Sequence, residues 1–448
     1  MSSLDGAHDK KEALIQYTDE DVLQYHRDNF AGHGKVGMVP KAPLRSILDL
    51  TLAYSPGVAI ACKAVQKNPE QLVYEYCSVG NTVAVVSNGT RVLGLGDIGP
   101  RAGLPVMEGK AVLFKGFGFV DTWPIVLNEK DPDKVIEHTV ALAQSFGGIN
   151  LEDIRKPDCY AIEREIQKRV DIPIWHDDQW GTALVCVAAF INSLKVVGKK
   201  AEDVRIVMHG AGGAGTATVQ MLLDAGVPGK NIVVTDRNGA VWYGRQANMD
   251  FRKEEIGKAT AGSEYQIGTL AEVVQKFTPD VLIGASGPNS FTMDMIRNMN
   301  TDPIVFAIAN PVPEIWPEDA LEAGAKIVAT GRSDYKNQAN NVLGFPGVFR
   351  GALDVRAKTV NSEMKVAAAH AIADQVTEEE LGPEMVLPNP TNFTVYQEVA
   401  VAVAKAAMSS GIARIQRDPD WIRENYQKLK RFYLDYEDPM ITKRKKFT

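Results

Sequence analysis

Apolar residues fall into two rhythms along this chain, and the change from one to the other organises it. Over the first 180 residues, short apolar runs alternate with amphipathic stretches. TVAVVSNGTRVLGLG reads as a hairpin, with Asn88-Gly89 as the turn between two apolar runs. DPDKVIEHTVALAQSF places Pro132 near a first helical position and keeps an apolar stripe, so it reads as a helix. GINLEDI (Gly148 to Ile154) and IPIWHDDQWGTA (Ile172 to Ala183) each read as a short apolar strand ending in acid, with helix-like CYAIEREIQKRV between them. TALVCVAAFINSLKVVG, from Thr182, is apolar nearly all round and reads as a buried helix. Gly198-Lys199 and the polar residues after it mark a boundary.

Beyond that boundary the period changes. DVRIVMHG, NIVVTD, DVLIGAS, PIVFAIAN and AKIVATG are short apolar runs, each bounded by Gly, Asp, Asn or Pro. Helix-like TATVQMLLDAG and TLAEVVQKF lie among them. Continuous apolar strands alternating with helices predict a parallel sheet covered on both faces. The expected fold is therefore α/β: an N-terminal mixed α/β domain (1–180), a doubly wound, Rossmann-type dinucleotide-binding domain (181–380, its sheet between about Val204 and Gly351), and C-terminal helices (381–448). MKVAAAHAIADQV and TVYQEVAVAVAKAAMSSG read as packing helices, and the last thirty residues as a helical extension against the core or a neighbouring subunit.

Composition narrows the setting. The chain has 448 residues, 45% apolar and 23% charged, which suits an ordinary globular enzyme of two or three domains. A net charge of −7 argues against a nucleic-acid surface, and Lys443-Arg444-Lys445-Lys446 reads as a solvated tail. Cys62, Cys77, Cys159 and Cys186 show neither paired nor metal-ligand spacing and are expected as reduced thiols. With no apolar signal core, and with uninterrupted apolar runs too short for a bilayer, the expectation is a cytoplasmic protein without membrane contact.

The chemistry is carried by acids and glycines. A right-handed crossover would bring the two acid-tipped strand ends to one sheet edge, gathering Glu152, Asp153, Asp177 and Asp178. Acids so placed repel one another without a cation, and all-oxygen ligation suits Mg²⁺ or Mn²⁺. HGAGGAG follows a predicted strand and opens a predicted helix, the context a dinucleotide turn requires. Gly210 allows the tight turn, Gly212 the approach of the pyrophosphate and Gly215 the close packing of helix on sheet, with Ala211, Gly213 and Ala214 between them. Asp236 ends the second strand, where an acid holds a ribose 2′-hydroxyl and favours NAD; neighbouring Arg237 would instead meet the 2′-phosphate of NADP. The lean is slightly to NAD. A hard metal beside a nicotinamide suggests oxidation of a hydroxy acid coupled to loss of CO₂.

The series YSPGVA (Tyr54 to Ala59), RVLGLGDIGP (Arg91 to Pro100), MEGKAVLFKGFG (Met107 to Gly118), NLEDI, HDDQWGTA, HGAGGAG, FAIANP and NNVLGFPG closely resembles malic enzyme in its compact microbial form. The resemblance runs from about residue 35 to 350 and is weakest after about Glu380. It implies a substrate domain joined to a nucleotide domain, acting on L-malate with NAD or NADP and Mg²⁺ or Mn²⁺, and a homo-oligomer. It matches Tyr54 to the general acid and Lys110 to the general base. Glu152, Asp153 and Asp178 match the metal ligands, with Asp177 beside them. Arg91 matches a substrate-carboxylate ligand, Asn310 a contact to nicotinamide and substrate, and Asn340 or Asn341 (the latter favoured) the residue orienting the substrate carboxylate. Trp180 stands where compact members often carry His, and Lys336 where Pro is common. Without the resemblance, Lys110 reads as a solvated lysine, Tyr54 as a core tyrosine, Glu152-Asp153 as a helix-start acid pair and Arg91 as a hairpin partner. Three rivals remain: a malolactic enzyme releasing lactate, a metal-free dehydrogenase, and a silent nucleotide-binding regulator.

Overall fold

Two parallel sheets carry the molecule, as seen in a computed structural model that describes residues 18–27, 33–92, 94–261, 265 and 268–436. The first contains β1 (Thr82–Ser87), β2 (Asp121–Val126), β3 (Gly148–Leu151) and β4 (Ile174–His176), in the order β2-β1-β3-β4. The second contains β5 (Ile206–His209), β6 (Ile232–Asp236), β7 (Gly239–Ala240), β8 (Val281–Gly284), β9 (Ile304–Ala307) and β10 (Ile327–Thr330), in the order β10-β9-β8-β5-β6-β7. Every pairing is parallel except β6 with the two-residue β7. The strands of the second sheet are buried throughout, which is why they read as unbroken apolar runs rather than alternating ones. This is the doubly wound architecture expected from the sequence.

One expectation fails. TVAVVSNGTRVLGLG is not a hairpin: β1 lies inside its sheet, with both edges taken by β2 and β3, so no following strand can fold back onto it. Gly89, at φ +65°, instead turns the chain towards the Pro100–Gly118 helix; a Cβ there would meet Gly99 O at 2.3 Å. Among the described residues of the second arm, an isolated Val92–Gly96 bridge is what remains.

The other helix readings hold among the described residues, which do not include Lys443-Arg444-Lys445-Lys446. The Pro132–Leu142 helix begins at its proline, and Asp158–Arg169 links β3 to β4. The buried helix runs Asp177–Val197, starting five residues before the expected Thr182, directly off β4. It packs on the Gly213–Asp224 and Ser362–Ala373 helices and so joins the two sheets' layers. Helix Phe345–Asp354, buried along its whole length, packs on Phe393–Ser409 and Pro100–Gly118. The Pro419–Tyr436 helix returns to the first sheet's side, where the Tyr426 hydroxyl donates to Phe117 O at 2.8 Å. All four cysteines are free. Two stretches, Ile47–Lys67 and Asp177–Val197, are long and apolar enough by composition to cross a membrane; the second is mostly buried in the core and the first is not buried at all.

Candidate active site

The carboxyl ends of β3 and β4 lie side by side, with Leu151 opposite His176, so the residues that follow each strand emerge at one edge. Glu152 and Asp153 leave β3 in a loop, Asp153 with a left-handed φ of 53°. Asp177 and Asp178 leave β4 in the first turn of a 21-residue helix, whose dipole favours negative charge there. The helix-start acid pair is thus Asp177-Asp178, not Glu152-Asp153. Ligand oxygens from Glu152, Asp153 and Asp178 all lie within 4.8 Å of one another. The Asp153 amide donates to Asp178 Oδ2 at 2.9 Å, tying the two loops together. Three hard oxygen donors converging from two strand ends fit a Mg²⁺- or Mn²⁺-sized cation.

Lys110 enters this cluster from the Pro100–Gly118 helix. Its helical neighbours Met107 and Phe114 share its buried face, so the lysine is carried inward with them. Its ammonium donates to Asp177 Oδ2 at 2.6 Å, lies 3.2 Å from Glu152 Oε1, and sits over the Phe345 ring. Burial opposes the charge, but Asp177 and Glu152, with Asp178 further off, outweigh it and hold the pKa above the ordinary lysine value. A cation held by the acids would act in the opposite direction, towards the neutral amine. Burial also raises the Glu152 carboxyl well above its usual value, against the pull of Lys110 and with the push of the three aspartates. Asp177, fully buried, accepts from Trp175 Nε1 at 2.9 Å and from Asn341 Nδ2 as well as from Lys110. Asn341 thus reaches the cluster, while the Asn340 side chain caps its own turn by accepting from Val342 N at 3.0 Å.

A cleft of about 650 Å³ runs from these acids to the glycine turn. One wall holds Arg91, Asp153, His176 and Asp178; the other holds Gly210 to Ala214, then Asp236 and Arg237. Arg91 is not a hairpin partner: its amide donates to Asp153 O at 3.1 Å and its side chain lines the cleft. Gly210 has φ +109°, and a Cβ on Gly215 would stand 1.8 Å from Gly210 O, so turn and helix close only with glycine at both places. Asn310 lies at the end of β9, its Nδ2 against Gly331. Three candidates stay outside: Tyr54, 72% exposed, Asn310 and Asn340 are not among the described residues that line the cleft.

Sequence reasoning missed several participants. Lys156 lines the cleft with its Nζ 3.5 Å from where a Gly212 Cβ would be, beside the turn meant for pyrophosphate. His176 is buried at the cleft wall with neither ring nitrogen hydrogen-bonded. Glu314 accepts from Ser286 N at 2.8 Å and Ala309 N at 2.9 Å, fixing the loops after β8 and β9. Asp236 is not a free acid: Arg245 grips it at 2.9 and 2.6 Å, Lys253 at 2.8 Å and Asn248 at 2.9 Å. Burial works to raise its pKa, but the Arg245 and Lys253 bonds prevail and leave it at about 2.

Comparison with known proteins now decides the family. The malic enzyme N-terminal domain matches residues 33–167 and the malic enzyme NAD binding domain residues 180–408. The chain belongs to the malic enzyme family. It is 50% identical over 410 residues to the bifunctional malic/malolactic enzyme of Bacillus subtilis, covering 92% of this chain and 98% of that one. The NADP-dependent malic enzyme of Haemophilus influenzae is 47% identical, covering 88% of this chain, which spans only 53% of that longer protein. The crystal structure of malic enzyme from Pyrococcus horikoshii superposes with a TM-score of 0.88 at 48% identity, covering 96% of this chain and 99% of that one. Within this malic enzyme fold, the unusual Trp180 donates to Glu163 Oε1 at 2.7 Å and lies under Lys365 Nζ, 3.2 Å from the ring centre. Lys336 pairs on the surface with Glu384.

Proposed function

We propose that this protein oxidises and decarboxylates L-malate to pyruvate and CO₂, reducing a nicotinamide cofactor with the help of Mg²⁺ or Mn²⁺. The observation that carries this reading is the buried Lys110 set among the three clustered carboxylates at one end of a cleft whose other end is the glycine turn. Glu152, Asp153 and Asp178 would hold the cation. When bound, it supplies a Lewis acid for the C2 oxygen and offsets the negative charge that keeps Lys110 protonated.

The chain's own residues then divide the work. Arg91 and Asn341 hold the substrate carboxylates, and Asn310 sets the nicotinamide against C2. Lys110, as the amine, removes the C2 hydroxyl proton while hydride passes to the ring. Asp177 keeps the Lys110 nitrogen in place through both steps. Loss of CO₂ from the resulting keto acid leaves an enolate, and Tyr54 protonates its C3 to give pyruvate. Lys156 and the amides of Gly212 to Gly215 meet the pyrophosphate.

For the finer choice of cofactor, the lean to NAD weakens once Asp236 is seen neutralised by Arg245 and Lys253, with Arg237 beside it. That charge balance supports use of NADP as well as NAD. A malolactic second activity is supported by the likeness to the bifunctional malic/malolactic enzyme of Bacillus subtilis. We assign residues 1–180 to substrate and metal, 181–380 to the dinucleotide and 381–448 to a helical extension, in a cytoplasmic homo-oligomer. The test is to incubate protein with L-malate, Mn²⁺ and either cofactor, and to follow reduced nicotinamide, CO₂ and lactate together. Stoichiometric reduced nicotinamide and CO₂ are expected; full activity after EDTA, or lactate as sole product, would overturn the reading.

A further inference from the structure

A second cavity, of about 180 Å³, adjoins the active cleft and takes no part in the chemistry proposed there. Four helices contribute its charged and aromatic lining. Asp158–Arg169 gives Glu163 and Arg164, and the first turn of Asp177–Val197 gives Gln179 and Trp180. Phe251–Ala259 gives Arg252, and Ser362–Ala373 gives Lys365. Gln179 lines both spaces, so the cavity shares a wall with the cleft right beside Asp178.

The charges around it do not balance. Three cations, Lys365, Arg164 and Arg252, stand against two carboxylates, Glu163 and Glu255. Glu255 serves both guanidiniums, accepting from Arg164 Nη2 at 2.9 Å and from Arg252 Nη1 at 2.9 Å. Arg252 Nη2 is left buried without an acceptor. Glu163 has its oxygens engaged by Trp180 Nε1 at 2.7 Å and Gln179 Nε2 at 3.0 Å. The Lys365 ammonium lies on the Trp180 ring, 3.2 Å from its centre, and donates to none of the described residues. Burial lowers its pKa to about 8, with Glu163 and Asp224 opposing and Arg252 assisting. The folded chain thus binds this proton more weakly than the unfolded one, so the ammonium disfavours folding below pH 8. That cost disappears as pH rises from about 8 towards the ordinary 10.5. Two unanswered cationic donors lining one small cavity require an acceptor that also carries charge, and water supplies only the acceptor.

We propose that this cavity binds a small oxyanion between the Lys365 ammonium and the Arg252 guanidinium. Its volume lies below the ~300–1,000 Å³ of pockets that take drug-sized ligands, which excludes a nucleotide. Arg252 has one nitrogen engaged by Glu255 and offers the other, so it cannot grip a carboxylate with both. The ligand class is therefore a tetrahedral oxyanion or the carboxylate of a short acid, each taking one bond from either cation. Binding here does not depend on the reaction assigned to the neighbouring cleft.

Titration with sodium sulfate at constant ionic strength, with NADP and Mg²⁺ present to fill the cleft, tests this through tryptophan emission. Wild type shows a saturable change as the anion draws the ammonium off the Trp180 ring, and Trp180→Phe loses that signal. Lys365→Met and Arg252→Met each weaken sulfate at least about tenfold, the loss of one charged hydrogen bond. Sulfate keeps its own charge, so its affinity for wild type falls above pH 8, whereas Lys365→Met shows no such fall. Sodium acetate in a parallel titration tells the two ligand classes apart: tighter binding than sulfate identifies a carboxylate site, weaker binding a tetrahedral one. Without added anion, Lys365→Met melts no lower than wild type at pH 7, because it removes an uncompensated buried charge. A lower melting temperature would make Lys365 a structural partner of Glu163 and overturn the proposal. No saturable change with either anion, or unaltered affinity in both variants, would leave the cavity to water and overturn it as well.

Discussion

Replacing Lys110 by Met removes a charge while keeping most of the side-chain volume, and its consequences follow from the buried cluster. Asp177 is completely inaccessible and Glu152 nearly so, and Lys110 is the cation between them. Asp177 keeps its bonds from Trp175 and Asn341, but neither donor carries charge. Breaking a buried pair by removing one partner costs roughly 3–5 kcal/mol, because the remaining charge stays desolvated. Urea unfolding of the metal-free variant should therefore show a loss of that order. The pH dependence has a definite sign. Glu152 already has a folded pKa above its unfolded value, and losing Lys110 raises it further. An acid raised in the folded state binds its proton more readily there, so stability falls as pH rises above the unfolded value. The deficit should be smaller at pH 5 than at pH 8, and Mn²⁺ should restore part of it at pH 8. Turnover should fall by about 10²–10⁴-fold, the range for loss of a general base, with cofactor affinity unchanged. Malate oxidation within tenfold of wild type would refute the base assignment; a stability deficit that grows on acidification would refute the electrostatic account.

Four further outcomes are expected. Asp178→Asn should raise the Mn²⁺ concentration for half-maximal activity at least about tenfold, a loss of one charged ligand, as read by metal titration of the rate. Lys156→Ala should raise KM for NAD and NADP alike with kcat little changed, and a KM effect confined to malate would remove it from the pyrophosphate site. Arg237→Ala should weaken NADP about tenfold more than NAD in steady-state kinetics, or else Arg237 does not meet the 2′-phosphate. Asp236, at about 2 in the folded protein against an ordinary 3.8, stabilises above pH 4 and loses that contribution as pH falls towards 2. It is worth on the order of 1–2 kcal/mol given its cleft-facing exposure. Asp236→Asn should flatten the acid limb of the stability–pH curve.

What was legible in the sequence was what local pattern encodes. The strands of the nucleotide domain are unbroken apolar runs because both faces of that sheet are covered, and the glycine turn announces itself between strand and helix. The acid pairs at the ends of β3 and β4 were legible because adjacent like charges after an apolar run are costly without a cation. The failures are all non-local. Asn88-Gly89 has the composition of a hairpin turn, but β1 pairs with β2 and β3, contributed by residues well downstream, and composition says nothing about which edges those strands will occupy. Lys110 finds Asp177 across 67 residues of sequence. Asp236 suggested NAD through its position alone. Only the fold delivers Arg245 and Lys253 to it, whereas Arg237 was visible because it is adjacent.

The same distinction applies to the amino-terminal helices. Apart from the resemblance, Tyr54 reads as a core tyrosine from the burial preference of its residue type, yet it is 72% exposed. The helices form as the pattern demands, yet none of their apolar faces is covered by the described residues of their own chain. Hydrophobic patterning specifies that a face must be buried, not which chain buries it.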